Sequence, residues 1–498
     1  MIQGWDGRLD AQKNISDRLY ALTFEQLDHY LWQMGEVKAE ASAGDIRFFR
    51  EPYQDAARIF HDDDHRYRLG KPELSDGCEA QLKRLRPDKA KAISAVAGQG
   101  HDLVYLNVGP VHSQVKDKLA EWVDWQQWDA DKALPLTEAG EKSDIVTLVA
   151  DLFAQPLYAP IAKGKNEFLS ALATAKFLDD KAVPKAFIAA VTVAIAGTIP
   201  FQSSSLTDEY SHDGGYFEAL AERLRSTELF HGDEELMDDI MTVAVDLANR
   251  DIYTFYGDWK EMVRLGYELH WEFNPTLASG DAVTMEKMME VVKTDGLYRM
   301  IRDGKLAAED VVHRYNNYPS EERYQEMVAQ VKANVAKAIT YYDRKQAGTA
   351  VAVAIATAIG EQQTKVTDFI GGEKWQGMNS KIHDDPAEDY SVLYAVGDDP
   401  QARAIGNAPI AARIYQAGGE QAIQKIQFSS RKRGGFVDAQ DAKSHLSKLS
   451  LVTGHEAMGD IITMLAEVAR DKGKSERAEK LTALSNEVCV NPHRVSWR

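Results

Sequence analysis

The sequence predicts an all-α protein, and two observations predict it. Apolar residues recur at helical spacing wherever the pattern can be counted, and alternating apolar and polar runs bounded by turn dipeptides are scarce. In 144–153 the residues Ile145, Val146, Leu148, Val149, Leu152 and Phe153 fall at i, i+1, i+3, i+4, i+7 and i+8, which is one broad helix face. Ser143 or Asp144 is suited to cap its start. The segment 324–342 repeats the design with a stripe of Met327, Val328, Val331, Val335 and Ile339, and the Ala/Val-rich stretch 349–359 is expected against a neighbouring helix. The apolar stretch 186–201 is too short for a membrane span and ends in Gly-Thr-Ile-Pro, so it is predicted as a buried core helix. Only 103–108 is strand-like, and it serves equally as the entry to a helix.

A chain of 498 residues exceeds the size at which one core stops growing, so two or three packed units are expected. Breakers near Gly98-Gln99-Gly100 and Gly371-Gly372, with another at Gly418-Gly419, suggest helical units over 1–98, 99–365 and 366–498. Hydrophobic residues make up 44% and charged residues 27%, a globular balance that argues against long disordered stretches. Two distant cysteines, Cys78 and Cys489, support neither a disulfide framework nor a thiolate zinc site, so a reducing, cytoplasmic setting is expected. The first residues lack the basic start and apolar run of a secretory signal.

A net charge of −19 repels nucleic-acid phosphate and anionic membrane over most of the surface. Bulk nucleic-acid binding and a membrane partner are therefore not expected, and a polyanion would need a local basic spot. Arg431-Lys432-Arg433 is such a spot, though the simpler reading is a solvated loop before Gly434-Gly435. The P-loop, dinucleotide-binding and nucleophile-elbow signatures do not occur.

The stretch 144–201 carries the functional argument. It holds an apolar helix ending in Phe153-Ala154-Gln155, then Asn166-Glu167-Phe168-Leu169-Ser170, then Ala196-Gly197-Thr198-Ile199-Pro200. Upstream lies Val111-His112-Ser113-Gln114-Val115, and downstream Val245-Asp246 through Arg250-Asp251. In this order the elements resemble the HD-superfamily phosphohydrolases. That family shows a His-x-x-Val helix, an apolar helix ending in Phe-His-Asp, an Asn-Glu-x-x-Ser helix, an Ile-x-x-Thr helix and a final aspartate. The resemblance covers roughly residues 100–360, a span of domain size, and implies an HD-like helical middle domain flanked by helical terminal units. In the family the His-Asp pair, the first histidine and the last aspartate hold a divalent metal. Ala154 and Gln155 stand at the place of the pair, and alanine supplies no donor while glutamine supplies only a neutral amide. Neither a metal nor another cofactor is therefore expected.

Two readings follow. One is a metal-independent phosphodiesterase in which His112 and His212 act as nucleophile or base and as acid, and Glu167 fixes a tautomer. Asp246 would then be a relic ligand or acceptor, with Arg250 and Gln155 as substrate contacts, Arg250 either clamping phosphate or pairing with Asp246 or Asp251. The order His, Glu, His is similar to that of SidE-type effector phosphodiesterases, which implies a phosphodiester, a nucleotide-derived small molecule or a modified protein as substrate. The other reading is a catalytically inactive HD-like binding or scaffold protein with a protein partner. His61-Asp62-Asp63-Asp64-His65 reads as a solvated acidic turn, and Trp122, Trp125 and Trp128 as core or interface packing.

Overall fold

The structure, a computed structural model, describes residues 69, 73–104, 111, 113–129, 131–155, 157–158, 164–199, 215–259, 262, 284–288, 307–370, 408–433 and 435–490. Among them the regular elements are helices, and strand pairing is limited to isolated bridges such as Val123 with Leu136 and Tyr315 with Tyr318. The protein is all-α, as its spacing predicts. No helix among the described residues is long and apolar enough to cross a membrane.

The chain forms two compact units, Met1–Tyr256 with Leu306–Val331, and Gly257–Lys305 with Lys332–Arg498. This differs from the division at 98 and 365 expected from the breakers. The helix Pro87–Gly100 runs through the first of those points, and its Ala90, Ile93, Val96 and Ala97 are buried in the core. Glycines 98 and 100 are themselves buried, so they serve close packing there and do not mark a linker.

The first unit contains α1 (Asp76–Gln81), α2 (Pro87–Gly100), α3 (Ser113–Leu119), α4 (Glu138–Glu141), α5 (Asp144–Leu152), α6 (Lys165–Asp180), α7 (Lys185–Gly197), α8 (Gly215–Ser226), α9 (Glu234–Asp251) and α10 (Tyr253–Tyr256). Its centre is α7, buried on all sides from Ala186 to Gly197 and packed against α2, α5, α6 and α9. A helix apolar all round has no solvent face, which is why it lies inside the bundle. Burying each of Phe187, Ile188 and Ile195 stabilises by about 1.5–3 kcal/mol. Helix starts are capped as their sequences dictate: Ser143 Oγ accepts from the Val146 amide, Thr137 Oγ1 from Gly140 and Asp233 Oδ1 from Leu236. The tryptophan series packs: Trp122 is buried beneath the Lys176 ammonium, and Trp125 meets Trp128 edge to face at 5.6 Å.

The long helix α11 (Glu321–Ala358) belongs to the first unit up to Val331 and to the second from Lys332. In the second unit its Ala/Val-rich end is buried with α12 (Val366–Phe369), α13 (Ala408–Arg433), α14 (Ala439–Thr453), α15 (His455–Asp471) and α16 (Ser475–Ser485). The Gly418-Gly419 breaker, expected as a boundary, is a kink within α13, where Gly419 takes φ 59°. Arg477 is the polar anchor of this unit. Its Nε meets Glu361 at 2.5 Å, its Nη1 donates to the Asp368 carbonyl, and its guanidinium lies over Phe369.

Candidate active site

The residues named from sequence part into three groups. His112 and His212 lie outside the described residues, as do His61 and His65. Asp246 and Arg250 belong to a buried structural network. Glu167 belongs to an ionisable cluster whose other members the sequence reading missed.

Ala154 and Gln155 have a local explanation. Ala154 takes a left-handed φ of 50° immediately after α5, its amide donates to Asp151 O, and the Gln155 amide donates to Ala150 O at 2.8 Å. This is the Schellman arrangement that satisfies the last carbonyls of a helix. Phe153 packs edge to face on Phe168 at 5.4 Å, tying the end of α5 to α6. The tripeptide thus terminates a helix.

Asp246, on α9, is 1% exposed. Its carboxylate accepts from the Ser75 hydroxyl, from Tyr318 OH at 2.6 Å and from Arg250 Nε at 3.0 Å, with the Ser75 amide at 3.4 Å. Arg250 Nη2 donates to Ser94 Oγ on α2. The guanidinium expected as a phosphate clamp therefore ties α9 to α2. Burial and the Asp246 charge push the Tyr318 hydroxyl far above its usual range, so it stays a donor.

The ionisable cluster assembles where α2 ends against α6. His101 caps α2, with its amide on Ala97 O and its Nδ1 donating to Gly98 O at 2.9 Å. Its Nε2 lies 3.0 Å from Asp102 Oδ2 and 3.6 Å from Asp251 Oδ1. A carbonyl and two carboxylates only accept, so both ring nitrogens are set to carry protons. Burial opposes that charge, but Asp102 and then Asp251 outweigh it and hold the imidazole well above its ordinary pKa. Asp251 reaches this cluster because it lies five residues beyond Asp246, about 140° further round α9. One helix thus supplies a structural carboxylate on one face and a cluster carboxylate on another.

Glu167 stands in the first turn of α6, after Gly164, whose φ of 58° starts the helix. Burial pushes its carboxyl up to about 7, with the Asp102 charge adding to it, while its own backbone hydrogen bond and the His101 charge act the other way. A helix N-terminus favours a carboxylate by about 0.3–1 kcal/mol. A rise from 4.5 to about 7 corresponds to roughly 3 kcal/mol, so burial dominates.

The rest of the Asn-Glu-x-x-Ser helix locks the geometry. Ser170 Oγ accepts from the Val104 amide at 2.8 Å, which fixes the loop carrying Asp102 onto α6. One turn on, Thr174 lies so close to Gly100 that a Cβ there would collide with its hydroxyl and methyl. Gly100→Ala is expected to cost about 1–3 kcal/mol through this overlap, read as a shift in the urea midpoint. A neutral result would mean that α2 and α6 have slack at the site.

Comparison with known proteins brings no match. No family model, no curated protein and no solved structure matches this chain. The site therefore rests on its own geometry. His101-Asp102 carried a signal that was legible: an adjacent His-Asp pair closing an Ala/Val-rich helix. It was obscured because Gly98-Gln99-Gly100 looked like a boundary. Asp251 had no comparable signal, since Asp246 and Asp251 differ only in the helix face they take. Among the described residues no group of three or more His, Cys, Asp or Glu is placed to hold a metal ion.

Proposed function

We propose that this chain hydrolyses phosphodiesters, nucleotide-derived molecules included, at a reaction centre formed by Glu167, Asp102, Asp251 and His101. The observation that carries the reading is the His101-Asp102-Asp251 cluster held by Ser170 against the helix that bears Glu167, a carboxyl that burial raises to about 7. The HD-superfamily resemblance supports it through the Asn166-Glu167-Phe168-Leu169-Ser170 segment, which stands at the family's Asn-Glu-x-x-Ser helix. Here α6 answers to the Asn-Glu-x-x-Ser element, Ala154-Gln155 stand at the place of the pair, and His101-Asp102 is a separate pair that packing brings to α6.

The described donors do not fit a metal centre as they stand, so the proposed steps use the chain's own protons. Glu167 in its neutral form gives a proton to the leaving oxygen as the P–O bond breaks, the role suited to a carboxyl whose pKa lies near the working pH. Asp102 and Asp251 keep 18% and 14% of their side chains exposed and orient the attacking water. His101, 2% exposed, is a positioning residue: its charge offsets the two carboxylates so that a monoanionic ester can approach.

The test is turnover of a phosphodiester panel, cyclic dinucleotides and ADP-ribosylated protein among them, by wild type, Glu167→Gln and Asp102→Asn, each with and without chelator. Chelator-resistant turnover that falls as pH rises through about 7, and that Glu167→Gln lowers at least about 100-fold, is expected. Turnover abolished by chelator would replace the proton mechanism with a metal-centred one. No turnover on any member would favour the binding or scaffold reading.

A further inference from the structure

Three consecutive side chains in the last turn of α9 engage three different partners. Asn249 exchanges two hydrogen bonds, both at 2.9 Å, with the main chain of His313 in the loop before α11. Arg250 donates through Nη2 to Ser94 Oγ on α2, and Asp251 Oδ1 lies 3.6 Å from His101 Nε2 at the end of α2. Ser94 and His101 are seven residues apart, two turns along one face of α2, and His101 keeps helical backbone angles. The last turn of α9 therefore meets that face at two points, separated by about 10 Å along α2. One contact would let the two helices pivot, whereas two fix slide and rotation together.

The Arg250 end is stiff. Its Nε donates to Asp246 Oδ2 at 3.0 Å, and Asp246 is itself held by Ser75 and by Tyr318 OH at 2.6 Å. A guanidinium is planar, so engaging Nε and Nη2 together sets its direction. Asp246 already balances its charge, so the bond to the buried Ser94 adds direction and not neutralisation. Asp251 needs such a brace. It is the last residue of α9, where helices fray and where the helix dipole disfavours a carboxylate, and a second carboxylate, Asp102, shares the same ring nitrogen. A retreat of about 2 Å would take it beyond ion-pair reach of His101.

We propose that Arg250 is a positioning residue for the reaction centre: anchored on Ser94 and braced by Asp246, it holds Asp251 opposite His101, where that carboxylate orients the attacking water. The inference rests on the hydrolase reading and names the part that keeps one of its carboxylates in place. The buried network of α9 and the ionisable cluster are then one assembly, joined through the adjacent residues 250 and 251.

The test uses the full chain as wild type, Ser94→Ala, Arg250→Lys and Asp233→Ala, after melting curves confirm folding. Ser94→Ala removes the anchor and leaves the Asp246–Arg250 pair, and Arg250→Lys keeps the charge without the fork. Asp233→Ala, the control, removes the cap at the opposite end of α9. His101 is titrated by NMR, its signals assigned by their loss in His101→Gln. Among the described residues Asp102, Asp251 and Glu167 bear on that ring, from its own loop, from α9 and from α6, and of these only Asp251 is expected to move. The expected result is a His101 midpoint lower by about one pH unit in Ser94→Ala and Arg250→Lys, and unchanged in Asp233→Ala. Turnover of bis(p-nitrophenyl) phosphate is expected to lose about 10-fold or more in kcat in the same two variants, with KM little changed. A midpoint unmoved in both variants, or lowered equally by Asp233→Ala, would overturn the assignment. Turnover left intact while the midpoint falls would separate Asp251 from the reaction, against the proposal. A lowered midpoint in the variants with no turnover in wild type would overturn the hydrolase reading and uphold the placement of Asp251 by Arg250.

Discussion

Asp246→Ala is expected to destabilise the first unit by about 3–5 kcal/mol, the largest effect of any single substitution considered. Its carboxylate is almost fully buried and receives donors from Ser75, Tyr318 and Arg250, which bring together the segment before α1, the end of the loop before α11, and α9 itself. Removing one partner of a buried pair leaves the other charge uncompensated, and that penalty is several times the ~0–1 kcal/mol of an exposed ion pair. Lys142 with Glu138, both largely exposed, supplies the internal control: breaking it is expected to change stability by well under 1 kcal/mol. Asp246→Asn keeps an acceptor for Tyr318 but loses the charge facing Arg250, so an intermediate loss is expected. Urea unfolding followed by circular dichroism checks this, with the two compact units allowed separate transitions. A loss below 1 kcal/mol for Asp246→Ala would return this residue to the list of ligand-binding candidates.

Glu167→Gln is expected to stabilise the protein at alkaline pH while lowering turnover. The folded-state pKa of Glu167 is raised from 4.5 to about 7. Its contribution is therefore fully present below pH 4.5, where folded and unfolded chains both hold the proton. It is lost as pH rises from 4.5 through 7, because the unfolded chain ionises first. Glutamine escapes that loss, so the variant should match wild type near pH 4 and exceed it by roughly 2–3 kcal/mol at pH 8. Equal stability of the two proteins at pH 8 would show that Glu167 ionises freely and would remove its claim to act as an acid. A carboxyl retained against such a cost is the pattern of a site where activity is kept at the expense of stability.

His313 works with the opposite sign. Its folded pKa lies near 4 against an ordinary 6.5, so its contribution is present above pH 6.5 and lost as pH falls from 6.5 toward 4. Between pH 4.5 and 6.5 the two slopes nearly cancel. Wild-type stability should be flatter over that window than that of Glu167→Gln or His313→Gln, which should tilt in opposite directions.

Part of the candidate site was legible in the chain and part was not. The Asn166-Glu167-Phe168-Leu169-Ser170 segment marked α6, and within it Glu167 carries the perturbed carboxyl while Ser170 holds the neighbouring loop. The pairing of Glu167 with His101 and Asp102 depends on Gly100 letting α2 approach Thr174, a contact across more than seventy residues that no local pattern announces. Phe153-Ala154-Gln155, where the sequence lacks the family's pair, is a helix end with Ala154 at positive φ.

The sequence by itself determined the helical class, the capped start of α5, the all-buried nature of α7 and the packing of the tryptophans. Each follows from periodicity, capping chemistry or backbone freedom within a few residues. Tertiary structure alone decided that Asp246 is a structural hub while Asp251 faces His101, and that a histidine at 313 stands beside α9. It also decided that the first core extends across the expected boundary at residue 98. Those outcomes depend on which faces of α2, α6 and α9 meet, and facing is set by the packing of whole helices, whose partners lie far apart in the chain.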